Sequence, residues 1–186
     1  SILIVLLFLC IYSINSQPQN IEAEAKEPGN ISESYNFNGN YNNSVFLNFN
    51  LSQNSNPQNE PSIHISRANS NFVVAAWRDF RLGYIEPNIV RRIGYSYSTN
   101  GGLSWAAPQL LPDPNPNHTS QSDPVITSDA QGNFYISSTS RQPVANYNRD
   151  MLMYKSTNNG VTFFLHSIAV PGSGGAGEDK EWIFCD

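Results

Sequence analysis

Two cysteines, three histidines and ten lysine-plus-arginine residues among 186 leave this chain short of the groups behind several common chemistries. Cys10 lies in an apolar N-terminal stretch that reads as an export signal, so its removal leaves Cys185 alone and no disulfide to form within the chain. His64, His118 and His166 are scattered, with no two at a spacing that sets them on one face, which argues against zinc. No calcium loop of the EF-hand kind is visible, so a structural calcium has no support and no cofactor is expected. A net charge of −5, with no basic stripe, excludes the electrostatic footprint of a nucleic-acid binder. Long hydrophobic runs are missing as well. The longest, residues 2–12, is too short to span a bilayer, so no stable membrane insertion is expected. It fits the apolar core of a secretory signal, followed by small and polar residues up to Gln17, and predicts a secreted or cell-surface protein cleaved after Ser16.

What the chain does have is a repeat. Ser98-Thr99-Asn100-Gly101-Gly102-Leu103-Ser104-Trp105 returns as Ser156-Thr157-Asn158-Asn159-Gly160-Val161-Thr162-Phe163, 58 positions later. Both copies follow a tyrosine-bearing apolar stretch. Upstream, Glu60-Pro61 corresponds to Asp123-Pro124, and each pair opens a short alternating strand. A polar turn follows, and then a second strand beginning at Phe72 or Phe134, rich in the aromatic and β-branched residues that suit a pleated surface. Third strands are predicted over 93–98 and 151–156, and fourth strands over 109–111 and 165–170. Four short strands in a unit of roughly 60 residues describe one blade of a β-propeller. The fold class is therefore all-β.

The domain reading follows from that unit. Residues 1–16 are the signal, truncated at its start because the first residue is not Met. Residues 17–59 form an Asn/Ser-rich linker that could donate a ring-closing strand near 44–50. Residues 60–186 hold blades over about 60–121 and 122–177 and the start of a third from 178, near Lys180-Glu181-Trp182. The sequence reads as a fragment of a larger ring, because a propeller closes its edges only when complete.

In the repeated phrases, Asn and Gly supply the positive φ angles of a hairpin turn. Asn100 and Asn158, with Ser98, Ser104, Ser156 and Thr162, can bond local backbone groups, and Trp105 and Phe163 can pack between blades. Gly102 and Gly160 complete the pattern. The phrase resembles the Asp-box, or bacterial neuraminidase repeat, written Ser-x-Asp-x-Gly-x-Thr-Trp, with Asn in the Asp position in both copies. The stretches 75–81, 94–98 and 179–183 are similar to the corresponding parts of secreted sialidase-like proteins. The resemblance covers residues 60–186 and implies a six-bladed propeller. It implies glycoside hydrolysis, although such repeats also occur in propellers without catalysis.

Strand order indicates where a site would lie. In an up-and-down blade, the start of the first strand and the loop between the second and third share one end. The Asn/Gly phrases join the third and fourth strands and fall at the other. The first end gathers Glu60, Asp123 and Glu181 with Arg78, Asp79, Arg81, Arg141, Arg149 and Asp150. Arginine forks pair two-pronged with a carboxylate, and a nearby acid can protonate a glycosidic oxygen. The expected ligand is thus carbohydrate, sialylated or otherwise acidic. Arg78, Arg81, Arg141 and Glu181 are the candidate binding residues, and Asp79 and Asp123 the candidate acids. Two other readings stand beside this one. Arg78, Asp79 and Arg81 could pair among themselves or with Glu60 and Asp123 to join adjacent blades, and the whole could be a non-catalytic binder of glycan or protein. An exo-α-sialidase needs a tyrosine nucleophile and further arginines, which the resemblance places beyond Asp186, and the Arg-Ile-Pro phrase that carries the first arginine of such enzymes is absent.

Overall fold

The computed structural model describes residues 48–85, 89–113, 120–141, 149–172, 179 and 181–186. Eight strands follow in chain order: β1 (Gln58–Ile65), β2 (Val73–Asp79), β3 (Arg92–Ser98), β4 (Gln109–Leu110), β5 (Ser120–Ser128), β6 (Phe134–Arg141), β7 (Arg149–Ser156) and β8 (Phe164–Val170). They build two four-stranded sheets, β1-β2-β3-β4 and β5-β6-β7-β8, and every neighbouring pair within a sheet is antiparallel. No helix occurs among the described residues. All eight predicted strands are present, with bounds shifted by a few residues. Phe134 opens β6, whereas Phe72 falls just before β2 and packs against the core from the turn. The expected signal and most of the expected linker lie outside the described residues. The described parts of the proposed ring-closing strand (48–50) and of the third unit (181–186) adopt no strand.

Side-chain size explains the burial. β2 is buried on both faces, as Val73, Val74, Ala75, Ala76 and Trp77 carry no charge and little bulk before the last. One of its faces, with Ile93, Tyr95 and Leu111, meets Ile126, Phe134, Ile136, Leu152, Tyr154 and Phe163 of the second sheet in a single core. Phe163 stands edge-on to Tyr95 across that core, with centroids 5.0 Å apart, whereas Trp105 stays half-buried and donates to Gly102 O of its own turn. Burial raises the Tyr95 hydroxyl to a pKa of about 12, with the neighbouring Tyr97 adding to the shift.

Polar interlocks join the sheets beside that core. Ile126 N donates to Ser62 Oγ at 3.2 Å, and Arg67 N to Ser128 Oγ at 3.0 Å. Gln121, fully buried, accepts from Ile93 N and Arg92 Nε and donates to the Tyr154 hydroxyl. His64 sits in β1 between Ile63 and Ile65. It points at the second sheet, 3.1 Å from Ser128 Oγ, while Ile63 and Ile65 on the opposite face are exposed. Desolvation, aided by the Arg67 charge, lowers the His64 pKa below its ordinary 6.5. A lowered folded-state value means that this stabilisation is complete above pH 6.5 and is lost as pH falls through the folded pKa. Urea midpoints should accordingly decline on acidification in the wild type, and less steeply in His64→Gln.

The two Asn/Gly turns superimpose bond for bond. Asn100 Oδ1 accepts from Ser98 Oγ at 2.9 Å and Ser104 N at 2.9 Å, and its Nδ2 donates to Ser104 Oγ at 2.8 Å. The second turn repeats this set with Asn158, Ser156 and Thr162 at 2.9, 3.0 and 2.8 Å. Ser98 Oγ and Ser156 Oγ in turn accept from Gly102 N and Gly160 N. Asn158→Ala removes all three bonds made by the side chain and should cost about 1–2 kcal/mol in a denaturant melt. Asn158→Asp keeps both acceptor roles, and the Thr162 hydroxyl can rotate to donate, so a change within about 0.5 kcal/mol is expected.

Candidate functional site

Register separates the two ends of each sheet. Val73 pairs with Ser98 at the end of the Asn/Gly turn, and Asp79 pairs with Arg92 at the other. The second sheet matches it, with Phe134 opposite Ser156 and Arg141 opposite Arg149. The turns therefore lie opposite the charged rim, as strand order implied.

On that rim both acidic-proline pairs do something that alternation alone does not suggest. The β1–β2 register slips between Asn59 and Ser62, and the β5–β6 register slips between Ser122 and Val125, so each pair forms a β-bulge. Glu60 has φ 54° and Asp123 φ 53°, in the left-handed region, although residues before proline normally stay extended. Proline has no N–H to lose from the ladder, which makes it a natural partner for a bulge. The bulge re-aims each carboxylate out of the pleat. Such backbone costs about 1–3 kcal/mol and persists only where the surroundings hold it. Glu60 is held well: Oε1 meets Arg78 Nη1 at 2.8 Å, and Oε2 accepts from Asp123 N and Ser122 Oγ, both at 2.9 Å.

Arg78 is correspondingly engaged. Besides Glu60, it donates from Nε to Asn59 Oδ1 at 2.7 Å and from Nη1 to Ser122 Oγ at 2.9 Å, above the Phe80 ring. Arg81 and Asp79 form a second unit. Asp79 is fully buried and accepts from Trp77 Nε1, from Arg81 N and from Arg81 Nε and Nη2, the last at 2.6 Å. Arg81 Nη2 also reaches Ser52 O. Asp79, the last residue of β2, and Arg81, just beyond it, thus close on each other.

Between the sheets lies a cleft of about 330 Å³, lined by Glu60, Arg78, Ser122, Asp123, Thr139 and Arg141 together with Arg91, Ser120, Arg149 and Asp179. Of the residues nominated from sequence, it brings together Arg78, Asp123 and Arg141. Glu181 is buried beside it, in a smaller cleft of about 200 Å³ that shares Glu60 and Asp123 and is otherwise walled by Pro61, Ser62, Pro124, Val125 and Trp182. Asp150 is buried and accepts from Gly172 N at 2.8 Å.

Arg91 was missed by the sequence reading. It stands at the start of the β3 segment, bridged in parallel to Ser120, and its carbonyl accepts from Gln121 N at 2.8 Å. A signal for it was available: Arg91 and Arg149 are 58 positions apart, the same interval as the two Asn/Gly turns. No group of three or more His, Cys, Asp or Glu residues suited to a metal ion occurs among the described residues.

No family model matches this chain, and no curated protein sequence matches it.

Proposed function

We propose that this chain is an exported, sialidase-like β-propeller of the Asp-box kind whose rim cleft binds an acidic glycan. The observation that carries the binding half of this reading is the cleft itself. It is walled by Arg78 and Arg91 from one sheet and Arg141 and Arg149 from the other, with Glu60, Asp123 and Asp179 among them. Guanidinium forks from two walls suit a planar anionic substituent, carboxylates beside them suit sugar hydroxyls, and the volume falls within the usual range for small-ligand sites. The propeller half is supported by the meander order of both sheets, by the superimposable turns and by how the sheets stack. The face of β1 bearing Ser62 and His64 is covered by β5, while the opposite face, with Ile63 and Ile65, is exposed and offers a seat for another sheet of the same design.

Binding is favoured over hydrolysis by the state of the acids. Asp79, buried and bonded on both oxygens, has no free lone pair facing a sugar, which leaves Asp123 as the acid candidate in the cleft. Titration of the chain with 3′-sialyllactose and with lactose tests the reading. At least tenfold tighter binding of the acidic sugar is expected, weakening as salt is added; equal affinity for the two would refute it. A fluorogenic sialoside separates the two modes, because turnover that vanishes in Asp123→Asn would identify a hydrolase.

A further inference from the structure

We propose that the anion-binding group of this cleft is Arg91, assisted by Arg149, its counterpart in the second repeat. Arg78 and Arg81, both nominated from sequence, are already engaged. Arg81 is bound to Asp79, and Arg78 is bound to Glu60, Asn59 and Ser122. Arg91 differs. Its side chain lines the cleft and lies over the Phe80 ring, its guanidinium carbon 6.0 Å from the centroid. Its Nε–H is enclosed by protein and meets no hydrogen-bond partner among the described residues. Buried guanidinium donors are nearly always satisfied, so an orphan donor on a cleft-lining arginine marks a group that the described residues do not fully engage. The bridge to Ser120 fixes the Arg91 main chain, and the Phe80 ring braces its guanidinium before any ligand arrives.

Arg149 supports the same assignment. It lines the cleft from the opposite sheet, and its contact with Asp179 is 3.5 Å long between side chains 42 % and 63 % exposed, a pairing of the weak surface kind that an incoming anion can replace. The recognised chemistry is an oxyanion that can take two guanidinium forks, the carboxylate of an acidic sugar or a sulfate ester. Only the nature of the natural ligand rests on the glycan reading above. Anion capture by Arg91 does not.

Calorimetric titration of the full chain with sodium sulfate, free N-acetylneuraminate and 6-sulfated N-acetylglucosamine, in the wild type, Arg91→Gln, Arg91→Lys and Arg149→Gln, tests the proposal. Arg91→Gln should weaken every anion the wild type binds by at least tenfold, and Arg91→Lys should recover little of it because an ammonium cannot reproduce the fork. Arg149→Gln should cost about threefold to tenfold, as expected for the loss of a charge-assisted contact from the assisting arginine. Near-UV circular dichroism reports whether each variant is folded; if Arg91→Gln is not, Arg91→Lys alone decides. A folded Arg91 variant that binds all three probes as the wild type does overturns the proposal, as does a wild type that binds none. Sulfate binding lost in Arg91→Gln, with neither sugar bound by the wild type, upholds Arg91 and refutes the glycan reading. Sugar binding indifferent to Arg91 does the reverse. The two sugars tell carboxylate from sulfate ester.

Discussion

Asp79→Ala is expected to lower the stability of the chain by about 3–5 kcal/mol, as removal of one partner from a buried ion pair generally does. The carboxylate is fully buried and serves three groups at once: the Trp77 indole, the Arg81 backbone and the Arg81 guanidinium. Its loss leaves an indole N–H and a mostly buried cation without their acceptor in a region that water cannot easily reach. Gly94 makes the site still less forgiving, because the space above it is filled by Trp77 and Asp79, 2.6 Å from where a Cβ would stand. Urea denaturation of Asp79→Ala, with Asp79→Asn as the milder variant that keeps some acceptor capacity, measures the effect. A loss under about 1 kcal/mol would show that the pair is a dispensable surface contact.

Gly160→Ala should be comparably damaging, at about 3 kcal/mol or more, because two penalties coincide. The residue sits at φ 83°, where a side chain is strained, and its Cβ would stand 2.2 Å from Val74 Cγ2 in the core between the sheets. Gly102 occupies the matching place in the first turn at φ 90°, but the nearest atom to its Cβ is Trp105 Cζ2 at 3.9 Å. Gly102→Ala should therefore show the backbone penalty alone, about 1–2 kcal/mol. The pair of variants separates conformational strain from crowding in two turns with the same hydrogen bonds. Equal losses would mean that the inter-sheet contact of Gly160 is unimportant.

The strands and the opposition of turns and rim could be read from sequence because they depend on local pattern. Alternating or continuous apolar runs bounded by Asn/Gly bends define β1 to β8 closely, and chain order alone places the bends and Arg78 at opposite ends. Pairings made across the sheets could not be read that way. Nothing near His64 announces that its partner is Ser128, 64 positions away. The bulges at Glu60 and Asp123 were visible only as two prolines inside strands, a hint that proline's missing donor makes meaningful in hindsight. Arg78 and Arg81 were nominated for their charge, and whether a charge is free or already neutralised is decided by side-chain geometry. Arg91 escaped notice because it lies outside the repeated phrase, although its interval to Arg149 carries the same period.

The Asn/Gly bends also bear on the order in which the molecule assembles. Their side-chain hydrogen bonds join positions two to four apart, so very little chain entropy opposes them, whereas the Glu60 to Asp123 and Ser62 to Ile126 links must gather positions 63 and 64 apart. Hairpins β3-β4 and β7-β8 should condense first as independent nuclei, and the latch that closes the charged mouth should set only once both sheets exist. The mouth is then the last region to gain protection against hydrogen exchange and the first to lose it.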